Sequence, residues 1–156
     1  MAVFVLTAAL AAPLSGCMTM QQAYHFPDGH QYVRTFDADP AATLAAVEKG
    51  LAKMHRLPVE ESVPGGAGGV TGPELPGYYA WIFTDQKVHY WLVTTTSNTL
   101  NIFLKQRSEN QTDVIITYMH SKAIWPFYDY CYYNYRNDRY VDRVFDAISR
   151  SFHSEK

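Results

Sequence analysis

The residues of this chain that are best able to do chemistry are two cysteines, Cys17 and Cys131, and six histidines. Three potential metal ligands, His25, Asp28 and His30, lie close together in "YHFPDGH". Imidazole and carboxylate groups at such short separations can reach one ion, but the spacing is not that of a common zinc motif. A Pro-Asp-Gly turn is also typical of a solvated loop. We favour the loop, predict no metal site and no cofactor, and keep a bound ion as the open alternative.

Cys131 is the candidate nucleophile. It has no histidine nearby in sequence, and its neighbours are aromatic. A reactive cysteine needs a basic or cationic neighbour that stabilises the thiolate, so this setting favours an inert and poorly accessible thiol. No Gly-x-Ser-x-Gly motif supplies a serine nucleophile. The chain is therefore predicted not to be an enzyme, and a site assembled from distant residues is kept only as a third hypothesis.

The other titratable residues give weaker signals. His89 and His120 fall on two different predicted strands with a third strand between them. Each is interpreted as a histidine on the sheet surface or as one whose hydrogen bonds are satisfied. Glu60 and Glu61 lie beside the glycines of a glycine-rich segment and have no helix or strand to orient them, so they are interpreted as solubilising charge.

The glycine-rich segment, residues 58–77, holds six of the nine glycines of the chain. A phosphate-binding loop would need a Lys-Ser or Lys-Thr pair and a helix directly after the glycines, and neither follows. The segment is therefore predicted to be a mobile loop, with room for a short edge strand in "VEESV". Residues 64–72 carry little apolar side chain and are expected to contribute little to the core.

The N-terminal residues carry the most specific motif. Residues 3–14 form an uncharged run rich in Ala, Val and Leu, too short to cross a bilayer, since a spanning helix needs about 20 residues. The run ends in "LSGC", residues 14–17, which resembles the lipobox of bacterial lipoproteins. The resemblance implies a signal peptide over residues 1–16, cleavage before Cys17, and a lipid anchor on the Cys17 thiol. With Met18 at the next position, it also implies sorting to the outer membrane, facing the periplasm.

A second unusual segment is "WPFYDYCYYNYR", residues 125–136, which holds seven aromatic rings in twelve positions. Pro126 and Asn137 separate it from the neighbouring strand and helix, so it is predicted to be a long surface connection. So many rings cannot all be exposed without forming an aggregation-prone patch, so some are expected to cover the end of the core. The others are candidates for contact with a partner or ligand: Trp125, Tyr128, Tyr130, Tyr132 and Tyr135.

The remaining segments predict the elements that position these residues. The first strand is "QYVRTF", and a helix follows over about residues 40–56, with Asp39 as its N-cap and Pro40 in its first turn. Four further strands are predicted at residues 78–83, 88–94, 99–106 and 112–120. The turns between them, "TDQK", "TTSN" and "RSENQ", are short enough to join antiparallel neighbours as a meander. A second helix is predicted after Asn137 or Asp138, with an apolar stripe at Val141, Val144, Phe145, Ile148 and Phe152.

These elements predict a single α+β domain over residues 31–156, preceded by a tether over residues 17–30. Its order is β-α-β-β-β-β-α, with an antiparallel sheet of four to five strands and both helices packed on one face. In the third strand of the meander, Leu100, Ile102 and Leu104 alternate with Asn101, Phe103 and Lys105, so one face of the sheet is expected to be partly wet. The order is loosely similar to small α+β envelope lipoproteins and, more distantly, to helix-grip folds.

The net charge and the apolar content limit the classes of function to be considered. A formal net charge of −2 gives no electrostatic footprint for nucleic acid, and an apolar fraction of 47% is sufficient for a globular core. Lipidation of Cys17 would leave Cys131 alone, so no internal disulfide is expected. We expect a non-catalytic envelope lipoprotein that docks on another envelope protein through aromatic side chains. The alternative is a binding module for a small apolar or saccharide ligand, favoured by Trp81, Trp91 and Trp125.

Overall fold

The computed structural model describes residues 30–64, 70–85, 87–91, 94–124, 127–134 and 136–153. At residues 70, 91, 123, 124 and 127–134 the description covers the backbone and leaves out the side chains. Cys17, the predicted signal peptide, His25, Asp28, Trp125 and Tyr135 lie outside the described residues.

The described residues form two helices, α1 (Pro40–Lys53) and α2 (Asp138–Phe152). Both begin at side-chain caps. The carboxylate of Asp39 accepts a hydrogen bond of 2.8 Å from the Ala42 N–H, and Pro40 occupies the first turn of α1. The Asn137 side chain accepts a bond of 3.2 Å from the Tyr140 N–H. Both predicted N-termini are confirmed, and neither described helix is long and apolar enough to cross a bilayer.

Helix α1 ends earlier than predicted, because His55 takes a left-handed backbone conformation with φ of 53°. The N–H of His55 then bonds the carbonyl of Ala52 at 3.0 Å, and the N–H of Arg56 bonds that of Leu51 at 2.9 Å. This pair of bonds closes the helix in the manner of a Schellman motif, with His in the position that Gly usually takes. The chain then continues through Arg56 into the strand that begins at Pro58.

In the described part of the chain, eight strands form one sheet: β1 (Gln31–Phe36), β2 (Pro58–Ser62), β3 (Val70–Thr71), β4 (Ala80–Thr84), β5 (Lys87–Trp91), β6 (Thr94–Ser108), β7 (Gln111–Ile124) and β8 (Phe127–Asn134). All pairings are antiparallel except the short β2–β3 pair, which is parallel. The α+β class is confirmed, and the sheet holds more strands than the four to five predicted.

The centre of the sheet is the long hairpin β6–β7, and the other strands line its two sides. On the β6 side lie β4 and β5, followed outward from β4 by β2 and β3. On the β7 side, β1 pairs with residues 112–117 and β8 with residues 119–124. The two ends of the hairpin therefore have different neighbours.

The predicted meander is wrong at its first two turns. Both β4 and β5 pair with β6 and run in the same direction along it, with Ala80 opposite Leu104 and Lys87 opposite Asn98. The pairing register therefore shifts by one residue between β4 and β5, as at a β-bulge, and the chain does not reverse at "TDQK". "TTSN" lies inside β6, whereas the "RSENQ" turn does join β6 to β7.

Both helices pack on one face of the sheet, as predicted. There the α1 residues Val47 and Leu51 and the α2 residues Val144 and Ile148 pack on β6 and β7 in one buried cluster. Gly50 lets the helices approach closely, since a Cβ on it would lie 3.0 Å from the Ile148 backbone nitrogen. The sheet contributes this set of buried residues to the cluster: Phe36, Ala80, Ile82, Leu100, Ile102, Leu104, Val114, Ile116 and Tyr118.

The opposite face is also covered near β4, which corrects the expectation of a partly wet face. Trp81, Phe83, Phe103 and Ile115 form a second buried cluster there, and Asn101 is buried beside it. Only Lys105, further along β6, is exposed as expected.

Residues 72–79, the covering segment, lie over this second cluster. A turn with Pro76 at its second and Gly77 at its third position, at φ of 85°, brings the Tyr78 N–H to 3.2 Å from the Leu75 carbonyl. Leu75 and Tyr78 pack on the cluster, and the Tyr78 ring lies 5.3 Å from the Phe103 ring. The end of the glycine-rich segment is therefore packed.

Candidate functional site

The most distinctive region is the end of the long hairpin away from the β6–β7 turn. We name it the extension: β5, residues 94–99, residues 119–124 and β8. Its strand register aligns polar residues in rows across the sheet. One row is Lys87, Asn98, His120 and Tyr133, and the next is His89, Thr96, Lys122 and Cys131. In β6 and β7 these positions continue the helix-side face, because side chains alternate along a strand.

His120 is the best-defined titratable group of the extension. Its Nδ1 lies 2.6 Å from the Asn98 Oδ1. With that oxygen accepting, Nδ1 carries the hydrogen and Nε2 keeps its lone pair. Burial lowers the pKa of His120, and the charges of Lys122 and His89 lower it further. The geometry gives a neutral, oriented imidazole, which agrees with the interpretation of His120 as a satisfied histidine.

Arg56 joins the extension to the helical layer. The residue is 2% exposed. Its Nη1 donates to the backbone carbonyls of Asp85 at 2.7 Å and of Asn98 at 3.1 Å, and its Nε donates to the Tyr140 hydroxyl at 2.9 Å. The Asp85 carboxylate lies 3.8 Å from Nη1. The guanidinium therefore links Asp85, at the register shift between β4 and β5, to Asn98 on β6 and Tyr140 on α2.

The opposite face of the extension carries small hydroxyl side chains. The Ser97 and Ser121 hydroxyls form a short hydrogen bond with each other, and both residues are buried. The nearby hydroxyls of Thr99 and Thr117 are buried without a hydrogen-bond partner. A buried hydroxyl without a partner costs stability.

A groove of about 660 Å³ lies between the covering segment and the end of β2. Tyr78, Tyr79 and Trp81 supply its aromatic side chains, and Glu74 supplies a carboxylate. The Trp81 Nε1 donates to the Pro73 carbonyl at 2.9 Å, so the indole is held in place from the covering segment. A groove of this volume is large enough to hold a small molecule.

The prediction that the aromatic segment is a surface connection is wrong, because residues 127–134 form strand β8. Tyr128, Tyr130 and Tyr132 lie on it, and the backbone of Tyr132 is paired with Ser121. In the described residues β8 pairs with β7 alone, so it is an edge strand. Whether the side chains of these tyrosines and of Cys131 are exposed stays a prediction, and Trp125 and Tyr135 lie outside the described residues.

Of the three candidate metal ligands, only His30 lies within the described residues, and its ring packs edge-on against the Tyr32 ring at 4.6 Å. His25 and Asp28 lie outside them, so the alternative of a bound ion is not tested. No three His, Cys, Asp or Glu side chains of the described residues are placed to hold an ion. His89 and His120 have β6 between them, as predicted.

Sequence reasoning missed two buried charges. Glu61, interpreted as solubilising, is 2% exposed, because β2 lies between β4 and β3 and the position faces α1 beside Ile82. Burial and the charge of Glu61 raise the pKa of Glu48 on α1. The other is Arg56. Its partners come from three distant segments, so no local pattern could have indicated it.

No protein-family model matches the chain, and no curated protein matches it in sequence.

Proposed function

We propose that the chain is a non-catalytic lipoprotein of the bacterial cell envelope that docks on another envelope protein through the edge of β8. The observation that carries the proposal is the placement of the tyrosine-rich segment on an edge strand. An edge strand offers backbone N–H and C=O groups to an added strand, while its side chains select the partner. Tyrosine suits such an interface, because its ring packs while its hydroxyl can hydrogen-bond.

The sequence of β8 also favours docking. Natural edge strands are commonly protected by Lys, by Pro or by being very short. Strand β8 has eight residues, with Asp129 as its one charge and no Lys or Pro. Strand β1, on the same side of β7, carries Arg34 at its centre, and β3 has only two residues. Of these three, β8 is the least protected against pairing with another chain.

Photocrosslinking tests the docking surface. A photoreactive side chain at Tyr132 should give a discrete adduct in envelope membranes. The same group at Val33, exposed on the neighbouring edge strand β1, is the matched control and should give none. Tyr130→Ser with Tyr132→Ser should then lose a partner identified in this way while the thermal melt is kept. Adducts of equal yield at both positions would contradict docking through β8.

The lipid anchor has its own test. The "LSGC" tetrapeptide after an apolar run supports lipidation of Cys17. In a bacterial host fed with labelled palmitate, the wild-type chain should take up the label, and Cys17→Ala should leave the precursor unprocessed and unlabelled. An unlabelled wild-type chain would refute the lipoprotein proposal without touching the docking proposal.

A second candidate function is binding of a small apolar or saccharide ligand in the groove beside Trp81, and the groove volume of about 660 Å³ favours it. Calorimetric titration with a naphthalene-sulfonate dye and with a series of disaccharides tests it. Binding that is lost in Tyr79→Ala and kept in Tyr90→Ala, on the far strand β5, would support it. No saturable heat with either class of probe would remove this candidate.

A further inference from the structure

The groove beside Trp81 is lined by described residues from the end of β2, the covering segment and the start of β4. Residues 62–64 and 74–81 form this lining. The covering segment is held against the sheet, because Leu75 and Tyr78 pack on the second buried cluster. The side of the groove that this segment forms therefore has a fixed position.

The groove is negatively charged. Residues 58–81 hold three glutamates and no Lys, Arg or His. Glu74 lines the groove and is exposed. Glu60 lies close to Trp81, since a Cβ on Gly72 would be 2.8 Å from the Glu60 Oε1 and 2.5 Å from the Trp81 ring. Two carboxylates therefore contribute a negative potential to this part of the surface.

The neighbouring cations do not line the groove. Lys105 and Arg107 are the next cations along β6, and neither belongs to the lining. Asp113 lies opposite Lys105 on β7, and its carboxylate is 3.9 Å from the Arg107 Nη1. The third glutamate, Glu61, is buried on the helix-side face. Within the described lining, the charge that faces the groove is therefore that of Glu74.

This lining disfavours three classes of small ligand. An anion would find no cationic side chain among the described lining residues. A purely apolar ligand would remove water from the Glu74 carboxylate without pairing it, which costs free energy. A saccharide would need an aromatic face and hydrogen-bond donors, but Trp81 is 2% exposed and its Nε1 already donates to the Pro73 carbonyl.

An organic cation fits the same residues. Its charge pairs with the Glu74 carboxylate. Tyr78 and Tyr79 are half-buried in the lining and offer aromatic rings, whose faces attract cations. A quaternary ammonium group suits such a site, because its methyl groups carry the positive charge, contact the rings directly and require no hydrogen-bond acceptor.

We propose that the groove binds a small quaternary ammonium compound, with Glu74 as the counter-ion and Tyr78 and Tyr79 as the aromatic contacts. The inference deepens the second candidate function, because it rests on the same groove and names the chemical class of the ligand. It does not depend on docking through β8.

Titration with choline and with its neutral carbon isostere, neohexanol, tests the role of the charge. The two probes have the same shape, and a carbon replaces the ammonium nitrogen in the second. The chain has three tryptophans, so Trp91→Phe with Trp125→Phe leaves the Trp81 indole N–H as the one indole signal in the NMR spectrum. Because Trp81 lines the groove, we expect this signal to shift saturably, with choline bound about threefold to tenfold more tightly than neohexanol.

Variants in the same background identify the contacts. Glu74→Gln should weaken choline binding by about threefold to tenfold and leave neohexanol binding unchanged, whereas Glu109→Gln, exposed in the β6–β7 turn, should alter neither. Tyr79→Leu should weaken choline binding, and Tyr90→Leu, exposed on β5, should not. Lys105→Gln should not weaken it. Thermal melts of all variants establish that they fold.

The outcomes separate this inference from the proposed functions. Equal affinity for the two probes would keep the groove as a ligand site and overturn the preference for a cation. Choline binding that survives Glu74→Gln unchanged would overturn the counter-ion. No saturable shift with either probe would overturn the whole inference, while saturable heat with the disaccharides would still keep the second candidate function. Docking through β8 is untouched by each of these results.

Discussion

The two halves of the long hairpin β6–β7 share one continuous set of strand pairings, yet the side chains on their helix-side face differ in polarity. In the half under the helices, Leu100, Ile102 and Leu104 lie against α1 and α2. In the extension the same face continues with Asn98 and Thr96, and the helical cluster does not include them. The difference shows that the helical cluster buries apolar side chains in one half of the hairpin only, so the polar residues of the extension are not needed to fill that cluster.

Arg56 lies at the boundary between the two halves, so its removal should have the largest effect. Arg56→Met would leave the carbonyls of Asp85 and Asn98 without their donor and the Asp85 carboxylate without its cation. We expect a loss of about 3–5 kcal/mol in the free energy of unfolding, measured by urea denaturation. Arg107→Met, on an exposed arginine at the far end of β6, is the control. A loss as small as the control's would mean that the halves are not coupled through Arg56.

Truncation in each half compares them directly. Ile102→Ala removes a fully buried side chain from the helical half and should cost about 2–5 kcal/mol. Thr96→Ala, on the same strand in the extension and only half-buried, should cost less than about 0.5 kcal/mol. Chemical denaturation of both variants measures the contrast. Equal losses would show that the extension is as important for stability as the helical half.

Gly72→Ala tests how closely the covering segment packs on the face of the sheet opposite the helices. A Cβ at this position would lie 2.5 Å from the Trp81 ring, so the covering segment or the indole must shift. We expect a loss of about 1–3 kcal/mol and an altered near-UV signal from Trp81. Thr71→Ala, at an exposed neighbouring position, is the control. An unchanged melting temperature would mean that the covering segment moves aside with no loss of stability.

The smallest expected effect is a pH dependence in the extension. The pKa of His120 is lowered in the folded state by burial and by Lys122 and His89, so the unfolded chain binds its proton more readily. Its contribution to stability is complete above the unfolded pKa of about 6.5 and is lost as the pH falls toward the folded value. His120→Gln should therefore flatten the stability profile below neutral pH. An unchanged profile would remove His120 as a source of pH sensitivity.

Local patterns were sufficient for the helices. Asp39 and Asn137 are caps whose bonds form within three residues, and the apolar stripes of both helices have one favourable partner, the sheet. The first strand was predicted with its observed bounds for the same reason. Each of these elements is specified by residues that are close in sequence.

Pairing between distant residues could not be read in this way. The register shift between β4 and β5 looks like a turn in sequence, because polar residues are found at both kinds of position. Tyrosine-rich β8 satisfies the composition of a strand and of a covering loop equally well, and Pro126 favoured the loop. Arg56 and Glu61 became buried through contacts with segments far along the chain. For the site residues outside the described ranges, Cys17 above all, the sequence stays the only guide.

The position of β1 has a mechanical consequence. It is joined to β7 by six paired residues, from Gln31 opposite Thr117 to Phe36 opposite Thr112. Interstrand hydrogen bonds in an antiparallel pair are perpendicular to the strands. A pull on the chain before Gln31, directed along the strand axis, therefore strains all of these bonds at once in shear. It does not open them one after another, as it would if the force peeled β1 sideways, so the domain should resist force best when it is pulled by its N-terminal segment along this axis.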